Sequence, residues 1–224
     1  MIRSIVVSLL LFGSTLAQAA TVLVLGDSLS AGFGLRAEQA WPALLQRKLD
    51  ALPGKHTVIN ASVSGETTAG GRARLPQALQ AHAPDVVVIE LGANDGLRGL
   101  PVGLMRDNLL AMTDAAEAAG AKVVLVGMRL PPNYGPLYTR QFQKTFADVA
   151  ETRGLAYVPF LLDGFAEDRS LFQEDGMHPT AAAQPRIVDT VWPALKPLLT
   201  AAAVTPQPTR SAGAPAAKRP MTAD

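Results

Sequence analysis

The chain has 224 residues, 48% of them hydrophobic, a size that suits one domain with short extensions. Twenty Lys and Arg against nineteen Asp and Glu leave a formal charge of +1, which gives no electrostatic basis for binding nucleic acid or an anionic membrane. The absence of cysteine excludes a disulfide framework, a thiolate nucleophile and Cys-ligated metal, and three histidines (His56, His82, His178) are too few for a His-rich metal centre.

Residues 1–19 read as a secretory signal peptide: Arg3, an apolar run from Ile5 to Phe12, a break at Gly13-Ser14, and the small-x-small pattern Ala17-Gln18-Ala19 before the cut. The apolar run is too short for the ~20 residues of a membrane span. The expectation is therefore an exported protein, periplasmic or secreted, with no stable membrane span.

The domain is expected over 20–200. Thr21–Leu25, Thr57–Ile59, Val86–Leu91, Lys122–Gly127 and Leu155–Phe160 are β-branched-rich runs of strand length. They mostly lack period-2 alternation, as strands covered on both faces do. Helix-length stretches lie between them, near 39–52, 67–81, 104–119, 138–153 and 180–199. Pro42 suits a first helical turn, and Gly120 and Gly154 sit where helices should stop. Pro76, Pro185, Pro193 and Pro197 disturb the second and last helices. Five βα units in series predict an α/β fold with a doubly wound parallel sheet in a three-layer αβα sandwich. Residues 201–224, rich in Ala, Pro, Thr and Ser, have too little apolar surface to offset ordering entropy and read as a disordered tail.

In such sheets functional groups collect beyond the strand carboxyl ends. The segments there are Gly26-Asp27-Ser28-Leu29-Ser30, Asn60 to Gly65, Gly92-Ala93-Asn94-Asp95 and Met128-Arg129-Leu130; Asp175-Gly176-Met177-His178-Pro179 precedes the last helix. His56 and His82 precede strands, away from that edge. His178 follows Asp175 by three residues in a tight loop, a spacing that lets a carboxylate meet Nδ1–H and fix the imidazole tautomer. Ser28 follows a strand directly; it is either an exposed nucleophile or a helix N-cap. Asn94 alone would equally serve to cap a turn. Asp27 and Asp95 invite a metal reading but suit loop-fixing acceptors better, and Glu90 within a strand reads as a paired structural carboxylate. No G-x-S-x-G elbow is present.

Taken in order, Gly26-Asp27-Ser28-Leu29, Gly65, Gly92-Ala93-Asn94-Asp95 and Asp175-Gly176-Met177-His178-Pro179 resemble the four blocks of the SGNH (GDSL) hydrolases. VLVLGDSLSAGFG, AWPALLQRKL, ELGANDGLRGLP, RLPPNYG and DGMHPTAAAQP are more narrowly similar to the exported acyl-CoA thioesterase I/lysophospholipase L1 (TesA-like) arylesterases of that family, over nearly all of 21–199. The extended tail departs from the group. The resemblance implies a flavodoxin-like five-stranded parallel sheet and a serine esterase acting on aryl esters, acyl-CoA and lysophospholipids. It implies Ser28 as nucleophile, His178 as general base and Asp175 as its orienting group. It also implies an oxyanion hole of the Ser28 and Gly65 amides with the Asn94 side chain.

No metal or organic cofactor is expected, and the partner is a small ester or thioester with an acyl chain, bound by a monomer. Leu97, Leu100, Leu130, Tyr134 and Met177 lie in loops beside these blocks and are the expected lining of an acyl groove. A carbohydrate O-acetylesterase of the same family is the alternative, which a short polar pocket would favour. A dinucleotide-binding reading of Gly32-Phe33-Gly34-Leu35-Arg36-Ala37 fails, because the strand ends before Gly32 and no acid stands at Ile59-Asn60.

Overall fold

The computed structural model describes residues 19–202. The expected signal peptide, save Ala19, lies outside the described residues, as does the expected tail from residue 203; the last helix runs through Ala202, so the first two residues of that tail are helical.

Five strands form one parallel sheet in the order β2-β1-β3-β4-β5, with β1 at Thr21–Gly26, β2 at Thr57–Asn60, β3 at Val86–Glu90, β4 at Lys122–Val126 and β5 at Ala156–Val158. The Val- and Leu-rich centre explains the order of burial. Every residue of β3 is buried, as are Val22–Gly26 of β1 and Val123–Val126 of β4. The edge strands β2 and β5 are short and only partly covered, which limits the open backbone available for unwanted pairing. The helices that follow are α2 (Trp41–Asp50), α3 (Thr68–His82), α5 (Val102–Ala118), α6 (Pro136–Arg153) and α7 (Gln184–Ala202). α2 packs on α7, while α3 packs on α5 and α5 on α6, giving a helical layer on each side of the sheet. The chain is thus the expected three-layer αβα sandwich.

Two short helices escape the periodicity argument: α1 (Ser28–Ala31) and α4 (Ala93–Leu97). Four or five residues carry no amphipathic signal, yet these helices begin directly after β1 and β3. The prolines break nothing. α3 continues through Pro76 and α7 through Pro193 and Pro197, and Pro185 falls in the first turn of α7. The lost backbone bonds are offset by core burial of Leu75 and Leu79 in α3 and of Val191, Leu195 and Leu199 in α7.

Strand order reverses between β1, which leads outward to β2, and β3, which begins the run toward β5. That switch point opens a crevice at the carboxyl ends of β1 and β3, where α1 and α4 start.

Candidate active site

Ser28 is the first residue of α1, so its N–H has no acceptor within the helix. Asp27 caps the helix: its Oδ1 accepts from Leu29 N–H at 3.0 Å. The Ser28 hydroxyl faces His178 across the crevice, with Oγ 2.9 Å from Nε2. On the other side of the ring Nδ1 lies 2.7 Å from Asp175 Oδ2. An ionised carboxylate only accepts, so Nδ1 carries the proton and Nε2 presents its lone pair to Ser28 Oγ–H. The structure therefore brings Ser28, His178 and Asp175 into one relay over 150 residues of chain.

Local geometry explains how Asp175 keeps its place. Leu171–Thr180 forms a hairpin: Thr180 N–H donates to Leu171 O and Gln173 N–H to His178 O, each at 2.8 Å, and Phe172 bridges Pro179. At its tip Asp175 Oδ1 accepts from the backbone N–H groups of Met177 (2.8 Å) and His178 (2.9 Å), an Asx-type turn. The His178 backbone amide, the His178 imidazole and the Met177 amide together pull the Asp175 carboxyl down to about 2, so it is ionised at any working pH. The Phe33 ring covers the imidazole, with centroids 4.4 Å apart.

Beside Ser28 lie the two other polar blocks. Gly65 has φ +78°, a left-handed conformation that favours glycine. Its carbonyl accepts from Arg98 Nη2 at 2.8 Å, while no acceptor among the described residues engages its N–H. Asn94, in α4, donates through Nδ2 to Asp27 Oδ2 (3.0 Å) and to Glu66 O (2.9 Å). Asp95 accepts from Thr68 N–H (2.8 Å) and Thr68 Oγ1 (2.5 Å), which ties α4 to α3. Both acids thus act as acceptors that fix loops. Beneath Ser28, Trp41 Nε1–H donates to Ser30 Oγ at 3.1 Å and Ser30 Oγ–H donates to Glu90 Oε2 at 2.6 Å. Glu90 is fully buried, and desolvation with the nearby Asp27 carboxyl pushes its pKa well up; desolvation likewise raises Asp27 to about 6.

A groove of about 650 Å³ opens from Ser28. Of the residues expected to line it, Leu97, Leu130 and Met177 do; Leu100 and Tyr134 do not. After Leu97 the helix is capped at Arg98 and the chain reverses at Gly99, φ +64°, which carries Leu100 out to solvent. Tyr134 lies behind the wall instead, its hydroxyl donating to Leu97 O at 3.0 Å. Sequence reasoning missed Phe33, Met128, Phe160, Leu162 and Phe172, which complete an apolar lining. Phe160 and Leu162 follow β5, and the rule that ligands gather beyond strand carboxyl ends points there too. Gly32, which opens the discarded dinucleotide pattern, merely caps α1.

Residues 24–185 match the GDSL-like lipase/acylhydrolase family. The chain is 51% identical over 183 residues to the esterase TesA of Pseudomonas aeruginosa, covering 82% of this chain and 91% of that protein. It is 41% identical over 183 residues to thioesterase 1/protease 1/lysophospholipase L1 of Escherichia coli, covering 82% and 86%. It also superposes on the psychrotrophic esterase EstA of a Pseudoalteromonas species, solved inhibited by monoethylphosphonate, with TM-score 0.77, 42% identity and coverage of 81% and 99%. With the site at the switch point of such a sheet, the chain belongs to the GDSL-like lipase/acylhydrolase family, the SGNH hydrolases, and is an ester-hydrolysing enzyme.

Proposed function

We propose that this enzyme hydrolyses carboxylic esters and thioesters of medium to long acyl chains through an acyl-enzyme on Ser28. The observation that carries the reading is the relay Asp175–His178–Ser28 standing at one end of an apolar groove. His178 Nε2 takes the Ser28 Oγ proton as Oγ attacks the carbonyl carbon. Asp175 stabilises the imidazolium, which then protonates the departing alcohol or thiol. Water attacks the acyl-enzyme next, giving its proton to His178 and restoring Ser28.

The tetrahedral oxyanion is received by the Ser28 N–H, the Gly65 N–H and Asn94 Nδ2. At rest the Asn94 amide is held by Asp27 and the Glu66 carbonyl. A full negative charge competes for its hydrogen better than a neutral carbonyl does, so this bond strengthens as charge develops. The names of the relatives, esterase and thioesterase/lysophospholipase, support both ester and thioester leaving groups. The volume and apolar lining of the groove favour an acyl chain over the short polar pocket of an acetylesterase.

The same reading includes export: residues 1–19 form a signal cleaved after Ala19, the sequence beyond α7 is a solvated tail, and the enzyme acts as a monomer. The terminal sequence pattern supports the first two, and no helix among the described residues is long and apolar enough to cross a membrane.

The test is kcat/KM on p-nitrophenyl esters and acyl-CoAs from C2 to C12, kept below micellar concentrations. Each buried methylene contributes up to about 0.8 kcal/mol, close to fourfold. The expected profile climbs to medium chains in the wild type and flattens in Leu97→Asp. A maximum at C2 would make the enzyme an acetylesterase.

A further inference from the structure

Nucleophile and base stand on separate pieces of chain, and one side chain joins them away from the reacting atoms. Gln173 Nε2 donates to Phe33 O at 2.8 Å and to Pro179 O at 3.2 Å. Phe33 belongs to the turn that closes α1, since both Gly32 and Phe33 direct their N–H groups to Ser28 O and Leu35 N–H returns to Gly32 O. Pro179 follows His178 directly. Both amide hydrogens of Gln173 are thus used, one on the nucleophile turn and one on the base hairpin. Its backbone brackets the same hairpin: its N–H donates to His178 O and its carbonyl accepts from Gly176 N–H, each at 2.8 Å.

A side chain at Gly34 would push the Gln173 amide out of its place. A Cβ there would lie 2.1 Å from Gln173 Oε1, and Gly34 itself sits at φ +74°. The glycine brings the nucleophile turn against the Gln173 amide, and that contact also sets Phe33 over the imidazole.

We infer that Gln173 is a positioning residue for catalysis, its amide stapling the turn after Ser28 to the hairpin that carries His178 and so holding Oγ within hydrogen-bond reach of Nε2. Gln173 faces backbone carbonyls and lies outside the groove lining, so its direct effect falls on proton transfer, and it reaches the groove only through Phe33, whose ring also covers the imidazole. The inference rests on the Ser28–His178 relay proposed above. Loosening a nucleophile and base by a fraction of an ångström slows attack far more than it weakens the apolar contacts of the acyl chain.

Two variants test it. Gln173→Met keeps the length and removes both donors; kcat on a p-nitrophenyl ester should fall about tenfold with KM within twofold. Labelling of Ser28 by a fluorophosphonate should slow by a similar factor. In Gln173→Glu, a neutral carboxyl still donates to one carbonyl, whereas the ionised form repels both. The wild-type to variant ratio of kcat should therefore grow from pH 4 to pH 8, across and above the ordinary carboxylate range. A Gln173→Met kcat within twofold of wild type, or a loss carried by KM, would overturn the inference. Should Gln173→Met fail to fold, the pH ratio for Gln173→Glu decides alone, and a flat ratio overturns it. Wild-type labelling at Ser28 in the same experiment tests the underlying relay separately.

Discussion

Ser28 stands at the buried end of β1, whereas His178 is carried on a hairpin that lies outside the sheet. Ser28 is set among buried, hydrogen-bonded side chains. Asp27 is buried, Ser30 and Glu90 are sealed beneath it, and Trp41 closes the network from below. His178 has no such setting. The Asp175 side chain keeps 38% of its exposure, and the flanking Glu174 and Gly176 are exposed. Its order comes from a dense set of short-range hydrogen bonds: two amides on Asp175 Oδ1, the imidazole on Oδ2, and the cross-hairpin pairs. Burial fixes one half of the relay and local hydrogen bonding fixes the other. Substitutions on the two sides should accordingly fail differently, the first in stability and the second in rate.

Short of replacing Ser28 itself, the largest rate effect that leaves the fold intact is expected on the exposed side. Asp175→Asn keeps the shape of the turn but favours the wrong imidazole tautomer, so kcat should drop by about 10⁴ with the melting temperature nearly unchanged. A folded variant with near-wild-type kcat would remove Asp175 from the relay. Next comes Asn94, which bridges the halves of the crevice. Asn94→Ala should lower kcat by about 10²–10³ with little change in KM, because its bond to the oxyanion is worth most in the transition state. An effect confined to KM would make it a ground-state contact.

The smallest effect, and one on stability, belongs to the buried side. An acid whose pKa is raised by folding favours the folded state while it is protonated in both states. That advantage is lost as pH climbs above the ordinary carboxylate range near ~4; for Asp27 the loss is complete once pH passes about 6, and for Glu90 it continues higher. Glu90→Gln removes the ionisation while retaining an acceptor for Ser30. Its melting temperature relative to wild type should rise steadily from pH 5 to pH 8. A difference that is flat over that range would show that Glu90 carries no titration cost.

The same contrast explains how much could be read from the chain alone. The polar blocks were legible because each follows a strand immediately, so the topology places Ser28, Gly65 and Asn94 at one edge with no knowledge of packing. The Asp175–His178 pair was legible because its geometry is local. The acyl groove was legible only in part. Leu97 and Leu130 point inward, but a left-handed glycine at 99 turns Leu100 away, and Tyr134 gives its hydroxyl to a carbonyl behind the wall. Neither fact has a signature in residue type. Phe33 joins the wall through tertiary approach, whereas Phe160 and Leu162 stand just beyond β5, where the strand-end rule already points. The Asp27–Asn94 and Gln173–Phe33 bonds span 67 and 140 residues, distances over which one sequence carries no pairing signal.

The central claim is that Ser28 is the covalent centre, and a phosphonate tests it most directly. Intact-mass measurement after treatment of the mature enzyme with a fluorophosphonate should show one adduct, peptide mapping should place it on Ser28, and Ser28→Ala should neither label nor turn over an ester. An adduct on Ser30, Ser62 or Ser64, or turnover surviving in folded Ser28→Ala, would contradict it.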